Sequence, residues 1–170
     1  SEKLKIGHSQ FDFKQLLTSI CDMYYPICNQ KEIKFEMNLV DMAEEQLIGD
    51  SLRVNQIILN ILSNAVKFTP KGGKIKLDVI QTRHEKNQIY MKFVIEDTGC
   101  GMSEDMLKRI FNPFEQESAD TARQYGGSGL GLSIVKNLVD MMQGAITVTS
   151  KQGAGTQFVI ELPFGRIAKQ

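Results

Sequence analysis

The chain has 170 residues, 42% of them hydrophobic and 24% charged, the composition of one compact domain able to bury a core. Twenty Lys+Arg balance twenty Asp+Glu, so neither a nucleic-acid-binding surface nor an acidic tail is expected. Cys21, Cys28 and Cys100 form no C-x-x-C, the apolar stretch Ile57 to Leu62 is short and cut by Asn60, and Ser1-Glu2-Lys3 opens no signal peptide, which together predict a soluble domain in a reducing, cytosolic compartment without direct membrane contact.

In chain order, Phe11 to Phe13 reads as a short strand. An amphipathic helix follows over Lys14 to Gln30, with Leu16, Leu17, Ile20, Met23, Tyr24 and Ile27 at helical spacing. Ile33 to Leu39 alternates apolar and polar residues, a strand with one wet face, and a second short strand ends at Gly49. Asp50-Ser51 offers a cap to a helix that runs to Phe68, where Pro70 and Gly72-Gly73 stop it. Lys74 to Thr82 and Gln88 to Glu96 make a hairpin across polar Arg83 to Asn87. Gly99 to Gly126 is irregular apart from a short helix over Glu104 to Ile110, and so long an irregular stretch in a small domain marks a functional or moving segment. A helix over Gly129 to Met142 and a hairpin of Ala145 to Ser150 with Thr156 to Leu162 complete an α+β sandwich.

Two features carry chemistry. On a helical wheel, Arg53, Gln56, Asn60, Ser63, Asn64 and Lys67 fall in one stripe roughly 100° wide, while the rest of that helix except Asn55 is apolar. Such a helix is expected to be buried almost all round, its polar stripe facing either a polar ligand in a cleft or a buried polar network. Asn60 and Asn64 stack at i and i+4 with Lys67 continuing the row; amide oxygens suit Mg²⁺, and the ammonium suits a phosphate. The second feature is the pair of glycine clusters. Asp97-Thr98-Gly99-Cys100-Gly101 ends an apolar strand, where a carboxylate can accept from an exocyclic amine or simply close an Asx turn. Gly126-Gly127-Ser128-Gly129-Leu130-Gly131-Leu132 opens a helix whose free amides suit phosphate. No strand precedes that second cluster, so a dinucleotide fingerprint is excluded by context.

In this order the motifs resemble the catalytic ATP-binding domain of two-component sensor histidine kinases, in the superfamily that includes gyrase, Hsp90 and MutL. Asn60 to Pro70 is similar to the family's asparagine box, Asp97 to Gly101 to its first glycine box, Phe111-Asn112-Pro113-Phe114 to its phenylalanine box, Gly127 to Leu132 to its second glycine box, and Gly153 to Phe158 to its last turn. Phe114-Glu115-Gln116 and Arg123 to Gly127 resemble the style of hybrid kinases. The resemblance implies a mostly antiparallel mixed sheet covered on one face by about three helices, the Bergerat fold, with a mobile ATP lid over about 102–126. The domain would run over 11–163, with 1–10 a linker remnant and 164–170 a tail.

It further implies ATP and Mg²⁺ as cofactors. Asn64 would hold Mg²⁺ with Asn60 beside it, and Lys67 and Arg123 would meet phosphate charge. Phe68 would pack near the adenine, and Asp97 would accept from its amino group. Gly99, Gly101 and Thr156 would shape that pocket; Phe111 and Phe114 would tether the lid; Gly127, Gly129, Leu130, Gly131 and Leu132 would face the phosphates. Hydrolysing members carry a glutamate base four residues before the Mg²⁺ asparagine, where this chain has Asn60, and an amide takes no proton at neutral pH. The expected reaction is therefore transfer to a histidine on the family's dimerisation domain, with a response regulator or receiver domain downstream and a membrane anchor elsewhere in the full protein. Neither His8 nor His84 sits in an acceptor context. The rival expectations are a gyrase- or Hsp90-type ATPase and an inactive nucleotide-sensing scaffold.

Overall fold

A computed structural model describes residues 5–42, 44–112 and 130–167. In chain order the elements are β1 (Ser9–Asp12), α1 (Phe13–Gln30), β2 (Lys34–Val40), β3 (Gln46–Gly49), α2 (Ser51–Phe68), β4 (Lys74–His84), β5 (Gln88–Asp97), α3 (Glu104–Arg109), α4 (Leu130–Met141), β6 (Ala145–Lys151) and β7 (Gly155–Arg166). The strands form one seven-stranded sheet in the order β1-β3-β7-β5-β4-β2, with β6 also paired to β7. Among the described residues only β2 and β4 run parallel; the other pairings are antiparallel.

The helix starts follow from capping. The Asp12 carboxylate accepts from the Gln15 N–H at 2.9 Å, and Asp50 Oδ1 accepts from the Arg53 N–H at 3.0 Å, each satisfying a first-turn amide. Asp50 Oδ2 also accepts from the Gly7 N–H at 2.7 Å, so one side chain starts α2 and pins the segment before β1. At the other end of α2, the Lys31 ammonium donates to the Val66 carbonyl, a cation on the negative pole of the helix.

Period-two alternation decides the layers. Ile89, Met91, Phe93 and Ile95 of β5 are buried, as are Ile75, Leu77 and Val79 of β4 and Phe158, Ile160, Leu162 and Phe164 of β7, so all three strands bury the same face. Against it lie α1 and α2, which pack on one another, and α4, which packs on α2. Phe13 of α1 meets Phe93 and Phe164 at ring-centroid distances of 6.0 and 5.7 Å. The intervening residues Tyr90, Lys92, Val94 and Glu96 are half-buried or exposed.

The architecture is the expected two-layer sandwich, with differences at its edges. The first strand begins at Ser9 rather than Phe11, because it is defined by pairing to β3, and Ile6 ahead of it packs on the core. The last strand carries past Leu162 to Arg166, since Gly165 and Arg166 pair with β3. The expected all-round burial of α2 is corrected: Leu52 is 69% exposed and Lys67 is exposed, because α1 and α4 cover its flanks and leave part of its outer surface to solvent. Among the described residues no helix is long and apolar enough to cross a membrane, and Cys21, Cys28 and Cys100 are free thiols.

Candidate functional site

The core face of β5 ends in a charge. Continuing the alternation Ile89-Met91-Phe93-Ile95 places Asp97 on the helix-covered side, where it is 8% exposed. Its cross-strand neighbours are Ile75 on β4 and Thr156 on β7. A carboxylate at such a position is costly unless paired. Asp97 Oδ1 accepts from the Gly99 N–H at 2.8 Å, and the Thr156 N–H also favours the charged form. Burial nevertheless outweighs these bonds and holds the carboxyl above its ordinary value of 3.8.

Asp97 opens onto a cavity continuous with solvent. Asn64, Ala65 and Phe68 of α2 line it on one side, Gly101, Met102 and Ile110 on another, and Leu132 of α4 with Thr156 and Phe158 of β7 on the rest. It is mostly apolar, with its polar groups at the Asp97–Thr156 end and at Asn64, the character of a small-molecule pocket. Two glycines permit this closeness. Gly101 has φ +70° and a Cβ there would stand 2.0 Å from the Lys151 carbonyl oxygen. Gly155 has φ +102° and its Cβ would stand 2.0 Å from the Asp97 carbonyl oxygen.

Of the residues singled out in the sequence, Asn64, Phe68, Asp97, Gly101, Leu132 and Thr156 come together around this cavity. Gly99 stands behind Asp97 as its hydrogen-bond donor, so the carboxylate closes an Asx turn and also lines the cavity. Asn60 lies one turn away on α2, facing the start of α4: a Cβ on Gly131 would stand 3.0 Å from Asn60 Oδ1. Lys67 is on the exposed side of α2 and does not line the cavity. Phe111 is half-buried against the core. Phe114, Arg123, Gly127 and Gly129 lie outside the described residues, as does most of the expected lid; Leu130 is described only as the first residue of α4.

Sequence reasoning did not single out Ala65, Ile110 and Phe158 as lining residues, nor Ser150 behind the pocket. Phe158 was legible, being two residues from Thr156 on the same strand face.

The donor set bears on a metal. Among the described residues no group of three or more His, Cys, Asp or Glu could hold one. A single amide oxygen at the edge of a cavity is the donor set of Mg²⁺ that keeps most of its shell from water and phosphate, and Asn64 fits it.

A buried acceptor at a strand end, glycine-thinned walls and a helix start beside an asparagine-bearing helix frame a partly apolar pocket fit for a small molecule in a two-layer sandwich. Residues 49–166 match the family described as histidine kinase-, DNA gyrase B- and HSP90-like ATPase, and the chain belongs to it. Within that family it is the catalytic domain type of sensor histidine kinases. It is 41% identical over 162 residues to the autoinducer 2 sensor kinase/phosphatase LuxQ of Vibrio harveyi, covering 95% of this chain and 19% of LuxQ. It is 37% identical to the peroxide stress-activated histidine kinase mak2 of Schizosaccharomyces pombe, covering 93% of this chain and 7% of that protein. The chain thus spans a fifth or less of these relatives. Among solved structures, full-length ShkA in complex with AMPPNP matches 99% of this chain and 34% of its own at 31% identity and TM-score 0.78. The catalytic domain of histidine kinase ThkA, at 23% identity, shares the fold with TM-score 0.73 over 92% of this chain and 95% of its own.

Proposed function

We propose that the domain binds Mg²⁺-ATP in the Asp97 cavity and passes the γ-phosphoryl group to a histidine on a dimerisation domain, which hands it on to a response regulator or receiver domain. The observation that carries the reading is a desolvated carboxylate, Asp97, sharing one cavity with Asn64. Asp97 accepts from the adenine amino group, and Phe68 and Met102 bound the ring. Asn64 would hold Mg²⁺, with Asn60 one turn away on α2, facing the start of α4. Lys67 and Arg123 meet phosphate charge, while amides of Gly127, Gly129 and Gly131 face the phosphates and Phe114 anchors the lid. Mg²⁺ held at Asn64 would supply charge neutralisation to the phosphates.

Asn60 in place of a carboxylate base leaves water poorly activated, whereas an imidazole nitrogen needs no strong base to attack phosphorus. Support for signalling comes from relatives named as sensor kinases and from a ThkA structure in complex with the response regulator protein TrrA. The full protein is proposed to be membrane-anchored, with this domain on the cytoplasmic side. The test mixes the domain with a separately made dimerisation domain and γ-labelled ATP. Label on the histidine, with little phosphate released when that domain is omitted, is the expected result; steady release without it would favour a gyrase- or Hsp90-type ATPase, and binding with neither would favour a sensing scaffold.

A further inference from the structure

Behind the cavity wall, Ser150 of β6 makes three contacts that the nucleotide reading does not use. Its hydroxyl oxygen accepts from the Met102 N–H at 2.8 Å, lies 3.0 Å from the Gly155 carbonyl oxygen and lies 2.8 Å from Thr156 Oγ1. A serine hydroxyl has one proton and two acceptor sites. The Gly155 carbonyl can only accept, so the Ser150 proton belongs there. The 2.8 Å contact to Thr156 then needs its proton from Thr156. This arrangement alone puts one proton in every contact: Ser150 donates to Gly155 and accepts from Met102 and Thr156.

The consequence lies inside the cavity. Thr156 is 9% exposed and lines the pocket beside Asp97. With its only proton turned back to Ser150, its hydroxyl offers the pocket lone pairs and no donor. Ionised Asp97 is also acceptor-only. This end of the site therefore matches a base edge that donates, such as the amino group of adenine, and opposes a keto oxygen in the same place, where acceptor would face acceptor.

We propose that Ser150, which does not line the cavity, sets base selectivity by consuming the Thr156 hydroxyl proton; it is a positioning residue acting through Thr156. The inference rests on the nucleotide reading above. Removing the Ser150 hydroxyl frees the Thr156 hydroxyl to rotate and donate into the pocket, so a 6-keto purine becomes tolerated.

The test measures dissociation constants of ATP and of inosine triphosphate, its 6-keto analogue, by calorimetry on this domain. The unaltered domain should prefer ATP. Ser150→Ala should lower the ATP-to-ITP preference by about tenfold, the scale of one hydrogen bond, and Ser150→Thr should keep it within about twofold. Should Ser150→Ala fail to fold, Thr156→Val, which removes the hydroxyl but keeps its shape, must lower the preference as well. If the variants weaken both nucleotides equally and leave the ratio unchanged, Ser150 merely ties the loop to the sheet and the proposal is overturned. Absence of ATP binding by the unaltered domain would remove the nucleotide reading and this inference with it, whereas ATP binding with an unaltered ratio overturns this inference alone.

Discussion

The two ends of strand β5 obey the same alternation and finish differently. At its start Ile89 closes the core face, and beyond it Arg166 of β7 ties the sheet end together: Nη2 meets Glu44 Oε1 at 3.2 Å, Nη1 lies 3.1 Å from His84 Nδ1, and the Arg166 N–H donates to the Asn87 carbonyl. Arg166 is held there entirely by protein groups, and the arrangement holds structure. At the far end the core face finishes in Asp97, whose burial is only partly compensated. Function sits where the packing pattern is broken and a ligand can complete it.

Substitutions at the two ends should separate these roles. The largest effect is expected at Gly155→Ala. A left-handed φ and a Cβ 2.0 Å from the Asp97 carbonyl oxygen should cost at least about 3 kcal/mol, or roughly 10 °C in Tm, measured by thermal denaturation. Next comes Asp97→Asn, which should keep the fold and weaken ATP binding about 10- to 100-fold, the range for a hydrogen bond to a charged group, read by calorimetry.

The pH dependence of the unaltered domain and of Asp97→Asn then sharpens the contrast. Because burial raises the Asp97 pKa above 3.8, its contribution to stability in the ligand-free fold is fully present below 3.8 and is lost as pH rises through the raised value. ATP binding follows the opposite course, weakening on acidification through that window as the acceptor is protonated. In Asp97→Asn the affinity should be flat across it; a sloping profile in that variant would assign the titration to another group. The smallest effect belongs to Arg166→Ala at the other end: about 1 kcal/mol of stability from a partly exposed ion pair, with ATP affinity unchanged within twofold.

Much of the frame was legible because it is local. Asp50 before an apolar helix, Pro70 after it, and the alternations of β4, β5 and β7 each act over a few residues; helix ends moved by a single residue, Phe13 passing from the expected strand into α1, and larger extensions came where pairing partners decide them, as at Ser9 and Arg166. The site was partly legible through its breaks in pattern: Asp97 at a strand end and the asparagines on α2. What stayed hidden depends on contacts distant in sequence. Nothing local brings Ser150 to Met102, 48 positions away; the pairing of β7 with both β5 and β6 does. Likewise the exposure of Leu52 depends on how far α1 and α4 extend along α2, which no helical wheel contains.

The most direct test of a nucleotide site at the Asp97 end is an NMR titration of the ¹⁵N-labelled domain with Mg²⁺-ATP. The account predicts large shifts at the amides of Gly99, Gly101, Met102 and Thr156, with Asn87, Gln88 and Arg166 nearly unmoved. Shifts concentrated at the Arg166 end, or none at Gly99 and Thr156, would contradict it.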